Sequence, residues 1–171
     1  MLKSTASTRT KTLDDLFEHA LKDIYYAEKK IFKALPKMVK AAHDDELRQA
    51  LEDHRDETEK HIAKVEQIFG LLELAPKAQK CDAIDGILKE ADGILKDFGK
   101  TNSCDAAIIF SGQAVEHYEI TRYGSMHTYA NALGMTEAAE LLASVLEQEK
   151  AADEKFTDLA EDRINHAAEI S

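Results

Sequence analysis

The sequence predicts an all-α protein in which four long helices form a bundle and a short fifth helix lies in a long connection. Long stretches are rich in Ala, Leu, Glu and Lys, residues that favour helix. Only two Pro and seven Gly occur among the 171 residues, and apolar residues recur along most of the chain at helical spacing. A chain of this length suits one domain with a hydrophobic core, and no strand pattern competes with the helical one.

The first two long helices begin at recognisable capping residues. Thr12 is the predicted N-cap of the first helix, residues 12–42, and two Asp in the first turn suit the positive end of the helix dipole. Pro36 is expected to kink or end this helix near its C-terminus. Asp44 is the predicted cap of the second helix, residues 45–72.

The second half of the chain follows a connector at residues 73–80. It contains a predicted short helix at residues 81–98, a third long helix at residues 104–131 and a fourth at residues 136–170. Gly134 is expected to end the third long helix in a C-terminal capping role.

The lengths of the connections predict the topology. Two antiparallel helical hairpins joined by one long crossover define the ferritin-like four-helix bundle. The link between the second and third long helices is the long one, and it contains the short helix. Residues 1–11 are polar and show no apolar stripe, so we expect a disordered N-terminal tail followed by a bundle domain at residues 12–171.

The composition argues against several classes of partner. The net charge of -11 repels nucleic acid and anionic membrane surfaces, whereas it would attract cations. No apolar run approaches the length of a membrane span, and the polar N-terminus lacks the apolar segment of a secretory signal. Cys81 and Cys104 form no metal-binding pair and are expected to be free thiols. We therefore expect a cytoplasmic protein with no nucleic-acid or membrane partner.

Acidic residues interrupt the apolar stripes of all four long helices. At 100° per residue, Glu28, Glu116 and Glu149 fall within the stripes of their helices. Glu57 falls at one edge of the second stripe, whereas His54 and His61 lie near its centre. One such acid is usually a residue at the rim of a core. Four helices that each contribute one predict a layer of carboxylates inside the bundle.

The positions along the helices support a shared layer. Counted from the hairpin ends, Glu28 and Glu57 lie at nearly the same depth in the first hairpin, and so do Glu116 and Glu149 in the second. At 1.5 Å per residue, the two acids of each pair should differ in height by about 3 Å or less. Glu119 lies on the inner side one turn beyond Glu116.

Buried carboxylates at this density require compensation, because each unpaired charge costs several kcal/mol. No Lys or Arg lies centrally in the stripes near the layer. Two divalent cations would neutralise four carboxylates, and carboxylates with one or two imidazoles suit iron or manganese. The Glu-x-x-His spacing of di-iron bundles is absent after both Glu57 and Glu149. Asp153, four residues after Glu149, also lies on the inner side and is a further candidate metal ligand. His117 lies off its stripe and is expected at the surface or rim.

Several segments resemble the YciE/YciF-type ferritin-like stress proteins of bacteria, which are related to rubrerythrin. They are DIYYAEKKI around Glu28, LPKM at residues 35–38, HRDET at residues 54–58, VEHYEI at residues 115–120, YGSM at residues 123–126 and EQEKAADEKFTDLA at residues 147–160. The resemblance implies a ferritin-like bundle, a dinuclear iron or manganese centre, a role in the stress response and a homodimer. It does not settle whether His54 or His61 is a ligand, and either could lie behind the ligands.

The leading hypothesis is a dinuclear metal protein that handles oxidants. Glu57 and Glu149 would bridge the two ions, and Glu28, Glu116 and Glu119 would be terminal ligands. Glu119 would also be the catalytic acid, relaying a proton to peroxide. With iron the reaction is ferrous oxidation by peroxide or dioxygen, and with manganese it is catalase-like disproportionation of peroxide.

Tyr25 and Tyr118 lie within a turn of the predicted ligands and could orient them. The alternative hypothesis is a bundle without enzymatic activity. In that case a structural or vestigial metal site supports a dimer, and the dimer acts by binding a partner under stress.

Overall fold

The computed structural model describes residues 10–169, and every regular element within that range is helical. The elements are α1 (Leu13–Ala41), α2 (Asp45–Leu71), α3 (Asp82–Phe98), α4 (Cys104–Ala132), α5 (Thr136–Leu159), a π-helical turn (Ala160–Ile164) and α6 (Asn165–Glu169). The predicted tail falls mostly on residues 1–9, which lie outside the described part of the chain. Thr10 and Lys11 precede α1 and have no regular structure.

The four long helices pack as two adjoining hairpins. Helices α1 and α2 form one hairpin and α4 and α5 the other, while α1 also packs against α4 and α2 against α5. Helix α3 lies in the crossover and covers α4 and part of α1. The predicted ferritin-like bundle with a short helix in its long crossover is therefore confirmed.

The helix ends follow the capping signals of the sequence. Thr12 and Asp15 form a capping box, in which the Thr12 hydroxyl accepts from the Asp15 amide and the Asp15 carboxylate accepts from the Thr12 amide. Asp44 accepts a hydrogen bond of 2.9 Å from the Leu47 amide at the start of α2. Gly134 follows α4 with a φ of 72°, a left-handed conformation that glycine adopts without a steric cost.

Pro36 does not end α1. The helix continues through it to Ala41, although proline lacks the amide hydrogen that the helical bond requires. Pro36 is exposed while the preceding Leu35 is buried in the core. Packing of the flanking residues therefore holds the last turns of α1 in place.

The last helix differs from the single helix predicted to Ile170, a residue that lies outside the described part of the chain. Helix α5 ends at Leu159, and the π-helical turn shifts the helical phase before α6 begins. This shift buries Ile164. It also brings the Arg163 guanidinium to Asp44, with nitrogen–oxygen distances of 2.8 and 2.9 Å. Arg163 in this turn thus connects the segment after α5 to the start of α2.

Helices α4 and α5 approach each other closely near the middle of the bundle. A methyl group placed on Gly112 would lie 3.0 Å from a ring carbon of Phe156, so glycine permits this spacing. Within residues 10–169, every helix is too short or too polar to cross a lipid bilayer.

Candidate metal centre

Six ionisable side chains from four helices meet inside the bundle. They are Glu28 on α1, His54 and His61 on α2, Glu116 and Glu119 on α4, and Glu149 on α5, and none is more than 3% exposed. Helical spacing explains why the pairs on one helix share a face. His54 and His61 are seven residues apart, and Glu116 and Glu119 are three apart, so each pair lies on one side of its helix.

The six side chains form two overlapping groups of potential ligands. One contains His54, Glu116, Glu119 and Glu149, and the other contains Glu28, His61 and Glu149. Within each group, one ligand atom per residue lies within 4.8 Å of all the others. Glu149 belongs to both groups, so its carboxylate lies where it could contact two ions.

His61 connects α2 to the carboxylates of both neighbouring helices. Its Nδ1 lies 2.9 Å from Glu149 Oε1 and 3.7 Å from Glu28 Oε1. Even the shorter approach lacks hydrogen-bond geometry, and both imidazole nitrogens are without a hydrogen-bond partner among the described residues. The imidazole therefore lies against both carboxylates, where a bound ion could contact all three side chains.

His54 lies in the same way against the carboxylates of the group that contains Glu116 and Glu119. Its Nε2 lies 3.3 Å from Glu116 Oε1, and its Nδ1 lies 4.0 Å from Glu149 Oε2. Neither nitrogen has a hydrogen-bond partner in the described part of the chain. The sequence left open which of the two histidines is a ligand. In the structure, each histidine belongs to one of the two groups.

Many polar atoms of the cluster are buried without a hydrogen-bond partner among residues 10–169. Besides the four imidazole nitrogens, they are Glu28 Oε2, Glu116 Oε2, Glu119 Oε2 and both carboxylate oxygens of Glu149. Buried polar groups in folded proteins are almost always satisfied. The buried polar residues described here include no Lys or Arg. A cation would satisfy such a donor set, since carboxylate oxygens and imidazoles are common ligands of divalent metals.

The electrostatics of the cluster favour protonation when no cation is bound. Burial and the neighbouring Glu149 raise the pKa of Glu28 to about 8. Burial and the nearby acids also raise the pKa values of Glu116 and Glu119 well above their ordinary range. Burial therefore favours the protonated form of the acids that surround Glu149 when no cation is bound.

Glu149 is the exception among the acids. Burial acts to raise its pKa, but the adjacent imidazoles of His61 and His54 outweigh burial, and the pKa is lowered. The pKa of His61 is raised, because Glu149 and Glu28 outweigh its burial. Burial lowers the pKa of His54. The metal-free cluster therefore contains one favoured ion pair, His61 with Glu149.

Tyr123 is a member of the site that the sequence did not single out. Its phenol donates a short hydrogen bond to Glu28 Oε1, and its ring centroid lies 6.3 Å from that of His61. The signal was available, because Tyr123 lies one turn beyond Glu119 on the inner face of α4. A tyrosine in an apolar stripe is usually an ordinary core residue, so the pattern alone did not separate the two roles.

The tyrosines chosen from the sequence have other partners. Tyr25 donates its hydroxyl to Glu66 at 2.6 Å, and Tyr118 donates to Asp23 at 2.8 Å. Both contacts lie outside the carboxylate cluster.

Glu57, Asp153 and His117 lie outside the cluster. Glu57 is half-buried and accepts a hydrogen bond of 3.4 Å from Gln148, so it faces α5 rather than the interior. This corrects the predicted pairing of Glu57 with Glu28. Its position at the edge of the stripe is the reason, because His54, Thr58 and His61 fill the inner face of α2.

Asp153 lies beside the ligand groups rather than within them, near enough that its charge adds to burial in raising the pKa of Glu116. Asp153 is half-buried, and its Oδ2 lies 3.0 Å from Nε2 of His117, a residue that is 69% exposed. Gln113 donates a second bond of 3.1 Å to Oδ1 of Asp153. The carboxylate thus binds groups on the outer side of α4, and His117 lies at the surface as its position off the stripe predicts.

The fold and the buried cluster together define a ferritin-like bundle protein with a carboxylate–histidine site. Comparison with known proteins gives the particular family. The chain belongs to the family described as a domain of unknown function, DUF892, which matches residues 12–169. Together with the 42% identity to protein YciF of Escherichia coli K12, this match confirms the resemblance to the YciF-type proteins.

Relatives of known sequence and structure support this assignment. The chain is 42% identical to protein YciF of Escherichia coli K12 over 160 residues, which cover 93% of this chain and 96% of that protein. The crystal structure of the E. coli stress protein YciF superposes with a TM-score of 0.86 at 41% identity, covering 91% of this chain and 99% of that one. YcfI of Rhodopseudomonas palustris matches at 44% identity with a TM-score of 0.84, covering 88% and 96% of the two chains.

A third structure shares the fold alone. This protein of Xanthomonas campestris pv. campestris has a TM-score of 0.71 at 22% identity and covers 92% of this chain and 96% of that one.

Proposed function

We propose that the protein binds two divalent ions, iron or manganese, in the buried cluster and that the loaded centre reacts with peroxide or dioxygen. One observation carries the proposal: six ionisable side chains from four helices are buried together, and most of their polar atoms have no hydrogen-bond partner among the described residues. Two divalent ions carry four positive charges, which would balance the four carboxylates of Glu28, Glu116, Glu119 and Glu149. Such compensation offsets the cost of burying them.

The ligands divide naturally between two positions. Glu28 and His61 would hold one ion, and His54, Glu116 and Glu119 would hold the other, with Glu149 shared between them. This assignment replaces Glu57, the expected bridging residue, by the histidines of α2. When bound, such a metal pair would supply the two electrons that, with two protons, convert one peroxide to two waters.

The chain itself would supply protons and a dry environment. Glu119 is 1% exposed, and burial raises its pKa well above the ordinary range, so its carboxylate would take up a proton readily whenever it is not bound to an ion. It lies against Glu28, to which it can donate that proton, and it is the residue that we assign as the proton donor. Tyr123 orients Glu28 by donating to one of its oxygens.

Metal analysis tests the proposal directly. Protein purified without chelator should contain iron or manganese, and anaerobic titration with ferrous iron should saturate at about two ions per chain. Addition of peroxide should then oxidise the iron and consume the peroxide. Glu116→Ala should lose metal, whereas Glu140→Ala, which removes an exposed acid from α5, should bind as the wild type does. Saturation at zero, or full binding by Glu116→Ala, would sink the assignment.

A second function is favoured by a different observation, since YcfI of R. palustris is described as a candidate structural protein. In that case the metal site stabilises the bundle, and the protein acts as a homodimer that binds a partner under stress. The loaded protein would then contain metal but consume neither peroxide nor dioxygen. Light scattering would give the mass of the assembly.

A further inference from the structure

A groove between α2 and α5 leads from the surface to the buried cluster. It has a volume of about 560 Å³, and His54, Glu57 and Phe156 are among the residues that line it. His54 also contacts Glu116 on the interior side, where their nearest atoms are 3.3 Å apart. The imidazole therefore separates the groove from the buried carboxylates.

The walls of this groove are acidic, and the acids differ in how they are paired. At the outer end, Glu46 lies 3.0 Å from Arg163 and 3.8 Å from Lys155. On the α5 side, Glu147 lies 2.8 Å from Lys150. These two acids are thus compensated by cationic side chains.

Asp53 and Glu57 are not compensated in this way. Among the described residues, neither has a Lys or Arg nitrogen within the 4.0 Å that defines an ion pair. Their hydrogen bonds come from neutral amides, at 2.9 Å from Gln49 to Asp53 and at 3.4 Å from Gln148 to Glu57. Two negative charges on the α2 wall therefore remain available to a cation in the groove.

His54 provides an independent sign of a ligand at the inner end. It is 3% exposed, and both of its nitrogens lack a hydrogen-bond partner in the part of the chain described. Glu57 follows it by three residues and lies on the adjacent part of the helix surface. A buried imidazole without a partner thus borders a groove that carries two uncompensated carboxylates.

We propose that this groove is the route by which a divalent cation reaches the buried cluster. Asp53 and Glu57 attract the hydrated ion, and His54 receives it before it passes to Glu116 and Glu149. The inference rests on the proposed function, because it needs a cation site behind His54. In this scheme Glu57 attracts the ion on its way to the cluster and is not a ligand of the bound ion.

The weak hydrogen bonding of Glu57 is consistent with a transient contact between its carboxylate and a passing ion. The bond of 3.4 Å from Gln148 is long for a hydrogen bond. Gln148 is itself held from the other side by Lys64, which donates to its Oε1 at 3.0 Å. Glu57 can therefore turn towards an ion without breaking a strong interaction.

The test compares two double variants that remove the same charge from α2. Asp53→Asn with Glu57→Gln neutralises the groove wall. Glu52→Gln with Asp56→Asn is the matched control. These acids lie on the same helix but line a different depression, between α1 and α2. Binding of Co²⁺ is followed by stopped-flow absorption at low ionic strength, and the bound metal is measured at equilibrium.

The groove variant should take up Co²⁺ about tenfold more slowly than wild type, a typical loss when electrostatic steering is removed. Its final stoichiometry should be unchanged, and the control should match wild type in both respects. The wild-type rate should fall as salt is added, because salt screens exposed charges, and the rate of the groove variant should depend less on salt.

Four results would overturn this inference. Equal uptake rates for the groove variant and wild type, or equal slowing in both double variants, would exclude the groove while leaving the metal site intact. A lower final stoichiometry in the groove variant would make Glu57 a ligand instead of a transit residue. Failure of the wild type to bind Co²⁺, Fe²⁺ or Mn²⁺ would instead overturn the proposed function, and this inference with it.

Discussion

Tyr123 on α4 donates a hydrogen bond to Glu28 on α1, and both side chains have no exposed surface. The bond joins the two hairpins of the bundle inside the candidate metal centre. It satisfies Oε1 of Glu28, while Oε2 remains without a hydrogen-bond partner among the described residues. The phenol therefore fixes the orientation of a carboxylate whose other polar neighbours include His61, Glu119 and Glu149.

Replacing Tyr123 by Phe should destabilise the metal-free protein. The change keeps the ring but leaves Glu28 without its donor, and a buried group that loses its partner costs about 1–3 kcal/mol. Urea denaturation of chelator-treated protein measures the free energy of unfolding. Tyr25→Phe is the matched control, because Tyr25 donates to Glu66, whose carboxylate is exposed and can bind water instead. Equal losses in the two variants would contradict a special role for Tyr123.

The stability of the metal-free protein should fall as the pH rises from about 5 to about 8. Burial raises the pKa of Glu28 from its ordinary value of 4.5 to about 8, so the folded state binds this proton more tightly than the unfolded state does. That contribution is fully present below 4.5 and is lost as the pH rises through 8. Each such group can contribute up to about 1.4 kcal/mol per pH unit. Urea denaturation at several pH values measures the slope.

The other titrating groups do not change the direction of this pH dependence of stability. His61, with a raised pKa, acts in the same direction, whereas His54, with a lowered pKa, opposes it only below its ordinary value of 6.5. The lowered pKa of Glu149 acts below this window. Glu28→Gln removes one titrating carboxyl and should flatten the slope between pH 5 and 8. A stability that rises with pH in the wild type would show that the acids are hydrated.

Metal binding should offset the destabilisation that the buried carboxylates cause in the folded protein. A ligand present at about one hundred times its dissociation constant stabilises the folded state by roughly 2.7 kcal/mol. Thermal melts with and without added Mn²⁺ at pH 7.5 should therefore differ, with a higher Tm for the loaded protein. Glu149→Gln should abolish the difference, because Glu149 belongs to both ligand groups. A melt indifferent to metal in the wild type would argue against the centre.

Three variants of α4 should separate metal binding from peroxide consumption. Glu116→Ala removes a buried ligand and should lose metal. Glu119→Ala should keep most of the ferrous metal, because His54, Glu116 and Glu149 remain as ligands at that position. It should lose peroxide turnover, because it removes the assigned proton donor. His117→Ala should resemble the wild type, since His117 is 69% exposed and lies beside Asp153. Paired assays of bound metal and peroxide consumption give the order, and a His117 variant with the largest loss would contradict the inward face assigned to α4.

The sequence alone was sufficient for the helices and for most of the buried face of each. Helical periodicity is a local property, so the 100° advance per residue placed Glu28, Glu116, Glu119 and Glu149 inside the bundle without knowledge of any neighbour. The same local rule put His54 and His61 at the centre of the α2 stripe. Capping residues such as Thr12 and Asp44 act within one turn, and for that reason the helix starts were also predictable.

Only the tertiary structure decided which of these residues meet. The alignment of α1 with α2 depends on how the two helices cross, and it brings His61 rather than Glu57 to Glu28, a difference of about 6 Å along the helix. Glu57 lies at the edge of the α2 stripe, and it lines a groove because α5 packs against α2. Likewise, the π-helical turn at Ala160–Ile164 buries Ile164 and brings Arg163 to Asp44, more than a hundred residues away in the chain. Periodicity determines the direction of a side chain from its own helix, whereas the partner it meets is set by packing between helices distant in sequence.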